Sequence, residues 1–107
     1  MTCTIPSSEN QYIEFKSELV SSRDLAEEIV AFANAEGGEI WLGVNDDRIV
    51  SGISRSYEED IMNICRTAVI PSLQPSYEEC LVNRQKIAKI CIPKGLDRPY
   101  YTLYSAP

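Results

Sequence analysis

The 107-residue chain contains no histidine, a single tryptophan, two phenylalanines and two methionines. Without histidine, neither a Ser/His/Asp nor a Cys/His catalytic set can be assembled within it. Its four cysteines, Cys3, Cys65, Cys80 and Cys91, include no CxxC pair, so the spacing of a structural zinc site is missing as well. No apolar run approaches the roughly 18 residues that a membrane helix needs. The opening residues, MTCTIPSSENQ, carry neither the basic nor the apolar segment of a secretion signal. There is no Walker A sequence. The one double glycine, Gly37-Gly38, follows a helical pattern, at the negative end of the helix dipole, where phosphate is disfavoured. These absences leave one domain with one core as the expectation, cytoplasmic by default. Reduced thiols go with that compartment, Cys65 and Cys91 reading as small buried hydrophobes among Ile64, Ile90 and Ile92.

What is present is ordinary globular material: 44% hydrophobic and 24% charged residues, too apolar for a disordered chain. The net charge of -6 argues against nucleic-acid binding by bulk attraction alone. Its distribution is uneven. Residues 1–80 carry a balance of -10, whereas residues 81–107 carry Arg84, Lys86, Lys89, Lys94 and Arg98 against Asp97, a balance of +4. Such asymmetry suits a contact face for an anionic partner, although lysines guarding a sheet edge give the same pattern.

Periodicity supplies the elements. Residues 1–8 lack it and read as a flexible arm. Ile13 to Lys16 alternates as a half-buried strand does. Ser21 is a hydroxyl N-cap with Asp24 in the first turn. Leu25, Ile29, Phe32 and Ala33 then recur at helical spacing. Gly37 is placed to take the left-handed conformation that ends this helix. Glu39 to Asn45 reads as a strand with Ile40, Leu42 and Val44 on one face, and Arg48 to Ile53 as its hairpin partner. Ser56 to Glu59 has the form of a capping box. It opens a second helix through Ile61, Ile64, Cys65 and Ala68 that Pro71 stops. Strands over Tyr77–Val82 and Lys86–Ile92, joined at Asn83-Arg84-Gln85, and a short edge strand within 100–104 complete the order β-α-β-β-α-β-β. The expected class is α+β, two helices packed on a mainly antiparallel sheet.

Two sets of residues could carry chemistry. Glu9 and Glu14, with Asn45, Asp46 and Asp47 on the neighbouring strand end, could converge on a hard divalent cation, although acidic side chains are ordinarily solvated. Arg84, Lys86 and Lys89, read as one strand face with Lys16 and Arg98 flanking it and interleaved with Tyr100, Tyr101 and Tyr104, could follow phosphates and stack bases.

Four segments in order, ENQYIEFK, the helix ending in IVAFANAEGGEIWLGVNDD, the return IVSGI, and DRPYY, resemble the AlbA-type DNA-binding domain of Schlafen proteins and of bacterial transcriptional regulators and RecG-like, divergent AAA-family helicase-related proteins. The likeness spans roughly Glu9 to Tyr101, and AFAN-x-x-GG-x(4)-GV is its signature. It implies a Schlafen/AlbA-like fold over residues 9–107 in which Asn34, Gly37, Gly38 and Gly43 are scaffold. It also implies further domains in a full-length protein, a last strand lying beyond this sequence, and any ATPase or helicase activity outside these residues. Schlafen relatives can cleave structured RNA with three acidic residues. Two match Glu9 and Glu14 here, while Asn45 stands where the third would be.

Three readings follow: a nucleic-acid-binding module of a regulator or helicase-related protein, a metal-dependent endoribonuclease using Glu9 and Glu14, and a protein-interaction or dimerisation module. The first is preferred. Its expected partners are DNA or RNA, with a homodimer left open and no membrane. No catalytic residue and no cofactor is assigned, Glu9, Glu14 and Asn45 being only candidates for weak Mg or Mn binding.

Overall fold

The computed structural model describes residues 2–104. Four strands, β1 (Ile13–Lys16), β2 (Gly38–Leu42), β4 (Ser76–Val82) and β5 (Gln85–Ile92), form one sheet in the order β1-β2-β5-β4. β1 and β2 run parallel, joined by the crossover helix α1 (Ser22–Asn34), and the other two pairings are antiparallel. A second helix, α2 (Glu58–Asn63), continues as one π-helical stretch over Ile64–Ala68. β3 (Val69–Ile70) and β6 (Tyr101–Thr102) pair in a small separate sheet. The expected α+β class, two helices on a mainly antiparallel sheet, is the observed one.

Helix α1 forms where its caps and stripe dictate. Ser21 accepts the Asp24 amide at 3.0 Å, and Leu25, Ala26, Ile29, Phe32 and Ala33 are buried along one side. They pack on Ile40 and Leu42 of β2 and on Ala88, Ile90 and Ile92 of β5. Gly37, at φ +82, donates its amide to the Phe32 carbonyl and closes the helix. A Cβ there would lie 2.7 Å from the Ile92 carbonyl oxygen, so conformation and space both demand glycine.

The opposite face of the sheet is also apolar. Phe15, Trp41, Val44, Cys80 and Ile87 form a second cluster there, closed by Ile5 of the N-terminal segment. That segment is not the loose arm expected from its composition. Thr2 bridges Leu81, the Cys3 amide reaches the Leu81 carbonyl, and Arg48 donates to the carbonyls of Ile5 and Pro6. Cys3 and Cys80 are joined in a disulfide, which corrects the expectation of four reduced thiols. Cys65 is free and buried, and burial pushes its thiol up to about 12; Cys91 is free and half-buried.

Three local expectations fail for physical reasons. β2 stops at Leu42 because Gly43, at φ +99, turns the chain. Val44 therefore joins the Trp41 cluster rather than the side of Ile40 and Leu42. The return over 48–53 is no strand: a single bridge, Val44 to Val50, forms before Gly52 turns at φ +80. The capping box is not made either, since Tyr57 is the N-cap of α2 and its amide bonds the Tyr77 hydroxyl. The following π-helical stretch ends at Ala68, before Pro71.

Candidate nucleic-acid interface and acidic cluster

The signature residues are structural. The Asn34 side chain donates to the Tyr100 carbonyl at 2.9 Å and accepts the Tyr100 amide at 2.7 Å, so one amide group pairs both backbone groups of a residue 66 positions away. Gly95 donates to the Ala33 carbonyl, and Lys94 pairs with Glu36 at 3.0 Å. A Cβ on Gly38 would enter the Phe32 ring. The corner between α1 and β2 thus clamps the segment after β5. Sequence reading found the corner but not the clamp. The available signal was an asparagine in a last helical turn, a poor helix former with no capping duty at that position.

The acidic candidates are partly assembled. Glu9 accepts the Phe15 amide at 2.9 Å, and its carboxyl contacts that of Glu14. Burial, the hydrogen bond to Glu9 and the charges of Glu28 and Glu9 raise the Glu14 pKa to about 7, while Lys16 opposes them. Lys16 lies 3.6 Å from Glu14 and 3.7 Å from Glu28, so an ammonium already sits among these carboxylates. Asn45 does not join them. Its side-chain oxygen accepts the amides of Asp47 and Ile49 at 3.1 and 2.8 Å and is committed to its own turn. Among the described residues, no three His, Cys, Asp or Glu side chains are grouped to hold a metal ion.

The basic candidates do not share one face. Strand alternation puts Lys86 on the helix side with Ala88 and Ile90, and Lys89 on the other with Ile87 and Cys91. The three-residue step between them forbids a common side, which corrects the expectation of a single Arg84/Lys86/Lys89 face. Lys89 is enclosed, 3.5 Å from Glu39, 3.8 Å from Glu78 and 5.7 Å from the Trp41 ring centre. Burial works against its charge, but Glu39, then Cys91 and Glu78, outweigh it and its pKa is raised. Lys16 is paired as described. Arg98 precedes the cis Pro99 beyond the far end of β5, near Glu36. Eight residues of β5 separate it from Arg84, about 25 Å.

At the opposite end, Asn83 and Arg84 make the two-residue turn between β4 and β5 with φ +52 and +67, the conformations of a tight hairpin. Among the described residues, Arg84 is exposed with no hydrogen bond or ion pair, and Lys86 is 54% exposed and pairs only with Glu79, at 3.5 Å. The loop after β2 packs alongside, with Gly52 against Gln85 and the Ile53 amide on the Lys86 carbonyl. Of the five basic candidates, Arg84 and Lys86 alone come together.

Residues 9–106 match the family described as Schlafen, AlbA_2. The chain belongs to this family. Its fold is similar to the N-terminal domain of a Nitrosomonas europaea protein named as related to RecG, an ATP-dependent DNA helicase, with TM-score 0.75 and 21% identity, covering 92% of this chain and 74% of that one. A Corynebacterium diphtheriae protein matches with TM-score 0.65 and 16% identity over 88% of this chain. The domain spans only 20% of that second protein. At these identities the likeness is one of fold.

Proposed function

We propose that the domain is a nucleic-acid-binding module that contacts phosphates through the β4–β5 turn, with Arg84 and Lys86 as the contacting cations, within a regulator or helicase-related protein. The observation that carries this reading is Arg84. It is an exposed guanidinium without a carboxylate partner among the described residues, held at a tight turn beside a second exposed cation. In a chain of net charge -6, where Lys16, Lys89 and Lys94 each pair with glutamates, an exposed arginine at a tight turn, next to a lysine that only Glu79 pairs, is a site where a phosphate gains charge-assisted contacts. Membership of the Schlafen AlbA_2 family, and a solved relative named after a DNA helicase, support the choice of nucleic acid over other anions.

Titration of labelled DNA and RNA oligonucleotides over a salt series tests it. Two phosphate contacts give a slope of log K against log salt of about -1.8 on duplex DNA. A slope of zero, or no binding at low salt, removes the reading.

A second reading, metal-dependent RNA cleavage, is favoured by the Glu9–Glu14 contact. It ranks lower because the Asn45 oxygen is already used and Lys16 stands where a cation would neutralise the pair. Incubation with structured RNA and Mn²⁺ should leave the RNA intact. Cleavage that is lost in both Glu9→Ala and Glu14→Ala would reverse the ranking.

A further inference from the structure

The two faces of the sheet are covered by different means. The helix side is buried under α1 and α2, whereas the Trp41 side is closed by residues 2–6 and the loop around Val50. The attachments of residues 2–6 are few: one bridge from Thr2 to Leu81, one backbone hydrogen bond from Cys3 at 3.3 Å, the buried Ile5 side chain, two carbonyls held by Arg48, and the Cys3–Cys80 disulfide. The disulfide is the only covalent one, and it closes a sequence separation of 77 residues. The strand order β1-β2-β5-β4 and the larger core are complete without this segment.

We propose that the Cys3–Cys80 disulfide is a redox-operated latch: a dithiol reductant opens it, the N-terminal segment lifts from β4, and the Trp41 face of the sheet becomes a water-exposed apolar surface. Cys80 is 5% exposed, while Cys3 is half-buried, so the sulfur an attacking thiolate can reach is that of Cys3. The thiolate forms a mixed disulfide with Cys3 and expels Cys80 as a thiolate, which takes up a proton. The second thiol of the reductant then closes on the first, releasing Cys3 as a thiol. The protein disulfide gains two electrons and two protons, and the reductant becomes a disulfide. What remains to hold the segment is Ile5, the Arg48 contacts and the two weak links to Leu81, each reversible on its own.

The test uses the intact chain, its single tryptophan serving as reporter. Alkylation of the denatured protein should count two free thiols after equilibration with oxidised glutathione and four after treatment with a dithiol. On reduction, Trp41 emission should shift to the red, and cleavage of the N-terminal segment by proteinase K should quicken about tenfold or more, the loss of one native cross-link being ample for that change in opening. The helical circular dichroism should stay constant. Cys3→Ser should behave as the reduced protein under both conditions. Four free thiols after oxidation, or equal Trp41 emission and cleavage in the oxidised, reduced and Cys3→Ser proteins, would overturn the latch. Loss of helical signal on reduction would overturn it too, since the bond would then be a staple of the whole fold.

Discussion

At one end of the central sheet, the start of β2 and the end of β5 meet the C-terminus of α1; at the other, the β4–β5 turn and the loop after β2 stand beside each other. The first end is interlocked: Gly37 pressed against the Ile92 carbonyl, Asn34 bonded to both backbone groups of Tyr100, Lys94 paired with Glu36. The second is built from left-handed residues, Gly43, Arg48, Gly52, Asn83 and Arg84, and leaves Arg84 without a partner among the described residues. Most of the family signature, Asn34, Gly37 and Gly38, belongs to the first end and shapes the backbone there, and only its closing Gly43 reaches the second. Arg84, with Lys86 beside it, lies at the second. A recognisable motif and a binding site need not coincide, because a motif of glycines and one asparagine records where the backbone is crowded.

The sharpest way to break this contrast is at the corner. Gly37→Val puts a β-branched side chain at φ +82 and 2.7 Å from a carbonyl oxygen, and should cost at least about 3 kcal/mol in chemical denaturation. An unchanged midpoint would mean the corner is not rigid. Asn34→Ala removes two hydrogen bonds to Tyr100 and should cost about 2 kcal/mol. Gly43→Ala, at the other end, meets Gly52 at a tight but tolerable 3.1 Å, and its strain at φ +99 should cost about 1 kcal/mol. If Gly43→Ala proved costlier than Gly37→Val, the assignment of the rigid end would be inverted.

A smaller effect, on the acidic cluster between the ends, is a matter of pH. The Glu14 pKa of about 7 lies above the 4.5 expected for the unfolded chain. Between those values the unfolded chain has released the proton that the folded one keeps. Stability is therefore fullest below pH 4.5, declines as pH rises towards 7 and levels off above. Glu14→Gln should remove this decline and be more stable than the parent at pH 8, by about 1 kcal/mol. A decline that persists in the variant would locate its source in another group.

Much of the fold could be read from the residues, since α1 has a hydroxyl cap, a continuous apolar stripe and a glycine stop. The hairpin of β4 and β5 was equally plain, with Asn83 and Arg84 between alternating runs. What escaped was whatever depended on distant partners. Asn34 and Tyr100, Arg48 and Ile5, and Cys3 and Cys80 are pairs whose partners no local pattern indicates. The 48–53 return misled because its alternation was that of a strand, while Gly43 and Gly52 at positive φ bend the chain out of the sheet. For the site, the family spacing pointed to Glu9 and Glu14, while the expected convergence with Asn45 does not form because the Asn45 oxygen is taken up in its own turn. The common face of Lys86 and Lys89 was not realised, although counting the odd step along one strand would have excluded it.

The most direct test of the central claim compares charge reversal at the two ends by fluorescence anisotropy with a labelled oligonucleotide at low salt. The double variant Arg84→Glu/Lys86→Glu should melt within about 0.5 kcal/mol of the parent, as surface changes do. It should bind at least about tenfold more weakly and lose the salt dependence, since both phosphate contacts go. Lys94→Glu/Arg98→Glu, at the interlocked end, changes the net charge equally but should keep the salt dependence and bind at least about fivefold more tightly than the first double variant. Equal loss in both double variants, or loss confined to the second, would contradict the placement of the nucleic-acid contact at the β4–β5 turn.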